Sequence, residues 1–220
     1  MIPSWGDAEN LRILLPKLAE VHEVIVAEAS DAAAPLCENN VTVLPCAAPS
    51  RGKQMNEGAA IATGDVLVFL HADTEIEMDH LAALAKAMSN PDIVGGAFYR
   101  RFDKRHPYLY FLEPLARLLT RHGGTFFGDQ TVFVRREVFR RLGGFAEIPL
   151  MEDVEFSPRL RAAGAVAVLD PAIRTSPRHH LEHGAWRTTI RNGLFLLLFK
   201  LGVSAERLHG TYYTRRAQRG

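Results

Sequence analysis

The stretch VLVFLHADTEI, residues 66–76, runs five apolar residues, Val66 to Leu70, straight into His71, Ala72 and Asp73. A buried strand normally gives way to turn residues such as Gly, Asn or Pro. This one ends in an imidazole and a carboxylate two positions apart. In extended chain alternate side chains share a face, so His71 and Asp73 are expected to project together while small Ala72 points away. A carboxylate beside an imidazole suits a divalent cation, and the imidazole shifts preference from Mg2+ toward Mn2+. Two protein groups leave an octahedron incomplete; water and a ligand, most naturally a diphosphate, would supply the remaining oxygens. The competing reading is structural: Asp73 caps the turn into the next helix and His71 is a core histidine.

Other groups carry chemistry of their own. Arg51 and Lys53 lie where a helical segment begins, and a helix N-terminus favours anions; a solvated basic loop explains them equally well. Glu28 ends an apolar run, where ordinary turn chemistry is the alternative. Glu152 and Asp153 open a helical segment, whose dipole is expected to hold them ionised. Stabilising their own helix would also account for them. GGTFFGDQ, residues 123–130, is a Gly-rich loop whose Asp129 and Gln130 can hydrogen-bond a ligand or simply close a turn. SPRHHLEHG, residues 176–184, clusters His179, His180 and His183 beside Arg178.

The elements that must position these groups alternate. Residues 7–21 read as a helix with Asp7 as N-cap, kinked or ended early by Pro16. Strands are expected at 23–28, 41–45 and 66–70, with helices at 52–64, closed by Gly64, and at 77–90. Strands spaced by helices predict βαβ units and a mostly parallel sheet, in which ligands sit beyond the carboxyl ends of the strands. The second half is mixed: strand 93–102, helix 108–122, strand 131–136, helix 137–145, helix 152–164 ending at Gly164, strand 165–169. One more helix, about 184–200, precedes a basic end.

The 220 residues suffice for one domain with a proper core. Hydrophobic content of 47% and charged content of 23% are those of an ordinary soluble protein. A net charge of +1 argues against a surface built for nucleic acid. Cys37 and Cys46 form neither a disulfide framework nor a zinc site and read as free thiols of a reducing cytosol. The N-terminus shows no signal-peptide pattern, and no apolar run reaches the ~18 residues of a membrane span.

Taken in order, MIPSWGDAENL, VIVAEASD, RGKQMNEGAAIATGDVLVFLHADT, GDQTVFVRREVFRRLGGF and LMEDVEF resemble the family 2 glycosyltransferases, most closely a group of small bacterial members marked by FLHADT. The resemblance covers roughly residues 2–200. It implies a GT-A fold: a nucleotide-donor half at 1–95, an acceptor and catalytic half at 96–180, and a C-terminal helix and basic tail at 181–220. It implies sugar transfer from a nucleotide diphosphate with inversion at the anomeric carbon, UDP being the commonest donor nucleotide. By the same resemblance, HAD at 71–73 matches a DxD-type motif whose last Asp meets the diphosphate-bound Mn2+ or Mg2+. Pro3, Arg51 and Lys53 fall beside the nucleotide. Glu28 stands where an Asp contacts base or ribose, with Asp31 as a substitute, and Asp129 and Gln130 face donor or acceptor. Glu152 and Asp153 match an ED pair in which Asp is the general base. A C-terminal His, here His180 or a neighbour, completes the metal site. The chain begins at Met1-Ile2-Pro3, so the first strand is expected to be short.

Two rivals stand beside this reading. One is a sugar-nucleotide or partner-binding module on a transferase scaffold, against which the intact Asp73 and Asp153 speak. The other is a nucleotidyltransferase, whose Gly-rich opening loop IPSWGDAEN lacks. The expected location is the cytoplasm. The apolar segment GLFLLLFKLGV, residues 193–203, is either packed on the domain or rests on the inner membrane with the basic tail through residue 219. The acceptor is correspondingly a small molecule or lipid-linked.

Overall fold

β1 (Ile2–Ser4), β2 (Val24–Glu28) and β3 (Val41–Pro45) form a parallel sheet in the order β1-β2-β3. The structure, a computed structural model, describes residues 1–30, 40–102, 107–175 and 185–217. A second sheet takes the order β4-β7-β6-β8-β5. Its strands are β4 (Val66–Phe69), β5 (Thr74–Glu75), β6 (Ile93–Phe102), β7 (Val132–Arg135) and β8 (Ala165–Thr175). Only β6 and β8 are parallel there; β4–β7, β6–β7 and β5–β8 are antiparallel. Met1 N donates to Val68 O at 2.8 Å and Leu70 N–H to Met1 O at 2.9 Å, a parallel ladder that joins the sheets edge to edge. The α/β first half and mixed second half are those the sequence predicts.

Alternation along the strands builds a core on each face. Val24 and Val26 pack with Leu11, Leu14, Leu84, Phe98 and Phe133, beneath α1 (Ala8–Leu14) and α3 (Met78–Met88). Ile25, between them in sequence, points the other way and joins Met55, Leu67, Ala97 and Val134. That second core lies under α2 (Arg51–Ile61), α5 (Arg136–Arg141) and α6 (Glu152–Ala163). Phe69, Phe139, Phe145 and Phe156 stack there with ring centroids 4.6–5.5 Å apart. The remaining helices are α4 (Pro107–Arg121), α7 (Ala185–Lys200) and α8 (Ala205–Ala217).

Pro16 ends α1 as expected; the chain tightens into a 3-10 turn over Leu15–Leu18. Several boundaries differ from the sequence reading. α2 stops at Ile61, not Gly64, because Ala62 is already extended. β8 runs past Leu169 to Thr175 because a register shift between Phe98 and Arg100 of β6 absorbs the Asp170-Pro171 step, where proline has no N–H to donate. Short β5 has too little sequence for a periodic signal. The basic end contains helix α8, anchored by buried Ala205 and Leu208.

The first correction touches the motif itself. β4 ends at Phe69, and residues 71–74 form a turn closed by Thr74 N–H donating to His71 O at 3.1 Å. His71 and Asp73 are therefore turn residues, not neighbours on an extended face. The structural alternative fails as well. The helix that follows, α3, is capped by Glu77, whose N–H donates to His80 Nδ1 at 3.0 Å in a capping box. The core histidine is His80, edge-on to Phe98. Asp73 and His71 are left for another task.

Candidate active site

Four segments converge beyond the end of β4: the 71–74 turn, the first turn of α2, the loop at 127–130, and the first turn of α6. Gly52 lets α2 approach α6, since a Cβ there would lie 2.7 Å from Ala146 O and 3.4 Å from Glu152 Cβ. This approach brings Arg51 Nε within 3.0 Å of Glu152 Oε1, a carboxylate with only 3% exposure. Arg51 Nη1 also lies 3.5 Å from His71 Nε2. A guanidinium cannot accept, so Nε2 holds the lone pair in this contact. Burial, and then the Arg51 charge, lowers the His71 pKa to about 4, which keeps the ring neutral.

Gly128 sits between the imidazole and the α6 carboxylates. Its N–H donates to Asp153 Oδ2 at 2.6 Å, and Val154 N–H donates to Oδ1 at 2.7 Å. A Cβ on Gly128 would fall 2.7 Å from His71 Nε2 and 3.5 Å from Asp153 Oδ2. Only glycine leaves that space open. The Asp153 pKa is raised to about 6, by burial first and then by the Glu152 charge, against the pull of Arg51 and the two N–H donors. The helix-start argument predicts the opposite direction. It fails because desolvation beside a second carboxylate outweighs a terminal dipole. Met151, just before the pair, holds φ of 70°, a left-handed conformation that costs roughly 1–2 kcal/mol for a non-glycine residue.

Asp129 is fixed by Arg100 of β6, Nη1 to Oδ2 2.5 Å, while its Oδ1 is buried with no hydrogen-bond partner. Burial pushes the Asp129 carboxyl up, but Arg100, with His71 and Arg51 behind it, outweighs burial and the net shift is downward. The Asp73 carboxyl is raised, through desolvation and then the neighbouring Asp129 and Asp7 charges.

Arg51, His71, Asp73, Asp129, Glu152 and Asp153 thus share one electrostatic neighbourhood. Other residues named from sequence stand apart from it. Lys53 is exposed and faces Glu57 along α2 at 3.9 Å. Gln130 is buried and spent on the backbone, accepting from Phe127 N–H at 2.9 Å and donating to Phe98 O at 3.2 Å. Pro3 is buried in β1 opposite Ala27. Glu28 reaches the carboxyl end of β2, but its oxygens accept from Ser4 Oγ (2.5 Å), Gly6 N–H (3.1 Å), Ser30 N–H (2.9 Å) and Ser30 Oγ (2.8 Å). Burial raises its pKa and those four bonds more than reverse it. Asp31, Cys37, Arg178, His179, His180 and His183 lie outside the described residues.

Sequence reasoning missed Arg100 and Gln54, and took Gly128 only as part of a Gly-rich loop. Two arginines in the otherwise apolar IVGGAFYRRF were the available signal for Arg100. Gln54 donates to Ser4 O at 2.8 Å and Ala27 O at 2.7 Å, tying α2 to the ends of β1 and β2; nothing in its neighbours marks it.

The family model described as glycosyl transferase family 2 matches residues 20–143, more than half of the sequence, and spans the 71–73 motif and the Gly128 loop. The chain belongs to glycosyl transferase family 2. No curated protein matches it. Among solved structures, the mannosyltransferase PcManGT from Pyrobaculum calidifontis, in complex with GDP-Man and Mn2+, superposes with a TM-score of 0.68. The two are 20% identical, over 96% of this chain and 68% of that one. S. aureus TarS 1–349 gives 0.62 at 18% identity, over 80% of this chain and 59% of that one. Its complex with UDP gives 0.61 at 17% identity, over 94% and 67%. These likenesses establish the GT-A fold for this family 2 glycosyltransferase.

One of these neighbours is in complex with a divalent cation, Mn2+. Among the described residues no three His, Cys, Asp or Glu side chains converge tightly enough to hold one unaided. The donors present still fit a cation completed by ligand oxygens. The Asp73 carboxyl is raised by desolvation first and then by the Asp129 and Asp7 charges, and Asp129 Oδ1 is buried without a hydrogen-bond partner. Carboxylate oxygen left without a hydrogen-bond donor is a natural ligand for a hard cation.

Proposed function

We propose that this family 2 glycosyltransferase moves a sugar, with inversion, from a nucleoside-diphosphate donor to an acceptor hydroxyl, with Asp153 as general base. The observation that carries the reading is Asp153 itself. It is a half-buried carboxylate whose pKa of about 6 makes it both ionised at neutral pH and basic enough to take a proton. Its lone pairs are aimed by two backbone N–H groups rather than by a competing side chain.

In the proposed reaction the acceptor oxygen bonds the anomeric carbon and its proton passes to Asp153. The bond from that carbon to the diphosphate breaks on the opposite face, and the diphosphate leaves with the electron pair. Asp73, with neutral His71 beside it, would hold Mn2+ or Mg2+, which when bound supplies Lewis-acid neutralisation of the diphosphate. Arg51 adds fixed positive charge at the N-terminus of α2. Glu152, clamped by Arg51, holds the Asp153 pKa up and is a positioning residue. The nucleotides of the neighbouring structures, GDP and UDP, frame the donor choice, and UDP is favoured.

The test is Asp153→Asn. The variant keeps nucleotide binding by calorimetry, while sugar transfer, read as release of nucleoside diphosphate, falls by about 10²–10⁴-fold. Transfer at near wild-type rate would remove Asp153 from the role.

A further inference from the structure

On α4, Leu115, Leu118 and Leu119 are 51%, 55% and 57% exposed, and their i, i+3, i+4 spacing puts them on one stripe. On α7, Ile190, Leu194 and Leu197 are 53%, 51% and 53% exposed at i, i+4, i+7, and Leu201 continues the line at 73%. The inward side of α7 is anchored by buried Phe195. Apolar residues at this spacing are normally the face a helix buries; here two helices turn that face to solvent.

The exit of α4 and the end of α7 come together. Gly123 and Gly124, at the exit of α4, and Phe199 and Lys200, at the end of α7, line one cavity of about 360 Å³ with Ser157 and Arg161 of α6. The ends of both helices therefore meet α6, the helix whose first turn carries Asp153.

Charge identifies what covers them. From residue 184 onward the sequence holds seven Lys and Arg, Lys200 and Arg207 among them, against the single carboxylate Glu206, in a chain of net charge +1. Arg121 is exposed at the end of α4. A second copy docked isologously on this face would bring like charge against like. A surface of anionic lipid would attract it. No helix among the described residues is long and apolar enough to cross a membrane, so the contact would lie in the interfacial plane.

We propose that α4 and α7 form a peripheral docking surface for an anionic bilayer, leucines in the headgroup boundary and basic residues over the lipid phosphates. The proposal stands without the transfer reaction. Where that reaction holds, the surface would present the 152–153 carboxylates to an acceptor carried in the membrane.

Flotation of the full chain with phosphatidylcholine vesicles, and with vesicles containing phosphatidylglycerol, tests this. Wild type is expected to float with the anionic vesicles alone and to be released by salt. Leu194→Glu combined with Leu197→Glu is expected to abolish flotation with melting temperature and far-UV circular dichroism unchanged. Three results overturn the proposal: no flotation with either vesicle, equal flotation of the double variant, or a dimer in sedimentation that the double variant dissolves.

Discussion

Gly128 N–H meets Asp153 Oδ2 at 2.6 Å, while the space a Gly128 Cβ would take ends 2.7 Å from His71 Nε2. One residue thus spaces the imidazole of the 71–74 turn from the carboxylate of α6. Gly128→Ala must displace one or the other. Because the clash is with movable side chains at a surface cleft, the fold is expected to survive with a melting temperature within a few degrees of wild type. Transfer is expected to drop by about 10²-fold, the usual result of an ångström-scale misplacement. Parallel melting and single-turnover measurements check the split; an alanine variant with unchanged transfer refutes the spacing role.

The Asp153 pKa of about 6 should appear in the reaction itself. kcat/KM is expected to rise through pH 6 and level off above it, with one deprotonation on the acid side. Glu152 is the second cause of the upward shift, so Glu152→Gln should move that limb to lower pH. The stability sign runs the other way. A carboxyl whose folded pKa is raised favours the fold below its unfolded value, and that contribution is lost as pH rises toward 6. Asp153→Asn should therefore flatten stability between about pH 4 and 6. A pH–rate profile and urea melts across that range examine both.

Glu28 tests a structural role at the other end of the sheet. Its four donors come from the end of β1 and the loops after β1 and β2, so Glu28→Ala removes the acceptor shared by Ser4 Oγ, Gly6 N–H, Ser30 N–H and Ser30 Oγ. A loss of about 3 kcal/mol is expected in urea denaturation. Its depressed pKa gives stability above the unfolded value that fades on acidification, and the alanine variant should lose that acid slope. A cost below about 0.5 kcal/mol, the level of an ordinary surface change, would show that the loops hold themselves.

Much of this molecule was legible because local rules and the fold agree. The βαβ order, the stop at Pro16, the end of α6 before Gly164 and α7 all follow from periodicity and caps. The chemical groups at element ends, Arg51, His71, Asp73, Asp129, Glu152 and Asp153, stood out by residue type, and the family resemblance singled them out. Their convergence was not legible, since it depends on Gly52 and Gly128 permitting close approach between segments dozens of residues apart. The Asp153 shift was read in the opposite direction because a helix terminus is visible in sequence and burial beside Glu152 is not. Glu28 and Gln130 looked like ligand contacts, and the folded chain spends their hydrogen bonds on backbone and loop. β8 ran on past Pro171 because it bulges there, residues 170–172 standing opposite Tyr99 of β6, so the proline needs no ladder partner.

The central claim is a diphosphate donor site built on the 71–73 turn. Thermal shift with UDP, GDP, CDP and ADP, each with Mn2+, Mg2+ or chelator, on wild type and Asp73→Ala tests it most directly. A nucleotide at 100 times its dissociation constant adds about 2.7 kcal/mol to the folded state, a shift of several degrees. The account predicts stabilisation by one nucleotide, UDP first, that needs the cation and disappears in Asp73→Ala. Stabilisation unchanged by chelator and by Asp73→Ala, or none with any pair, would contradict it.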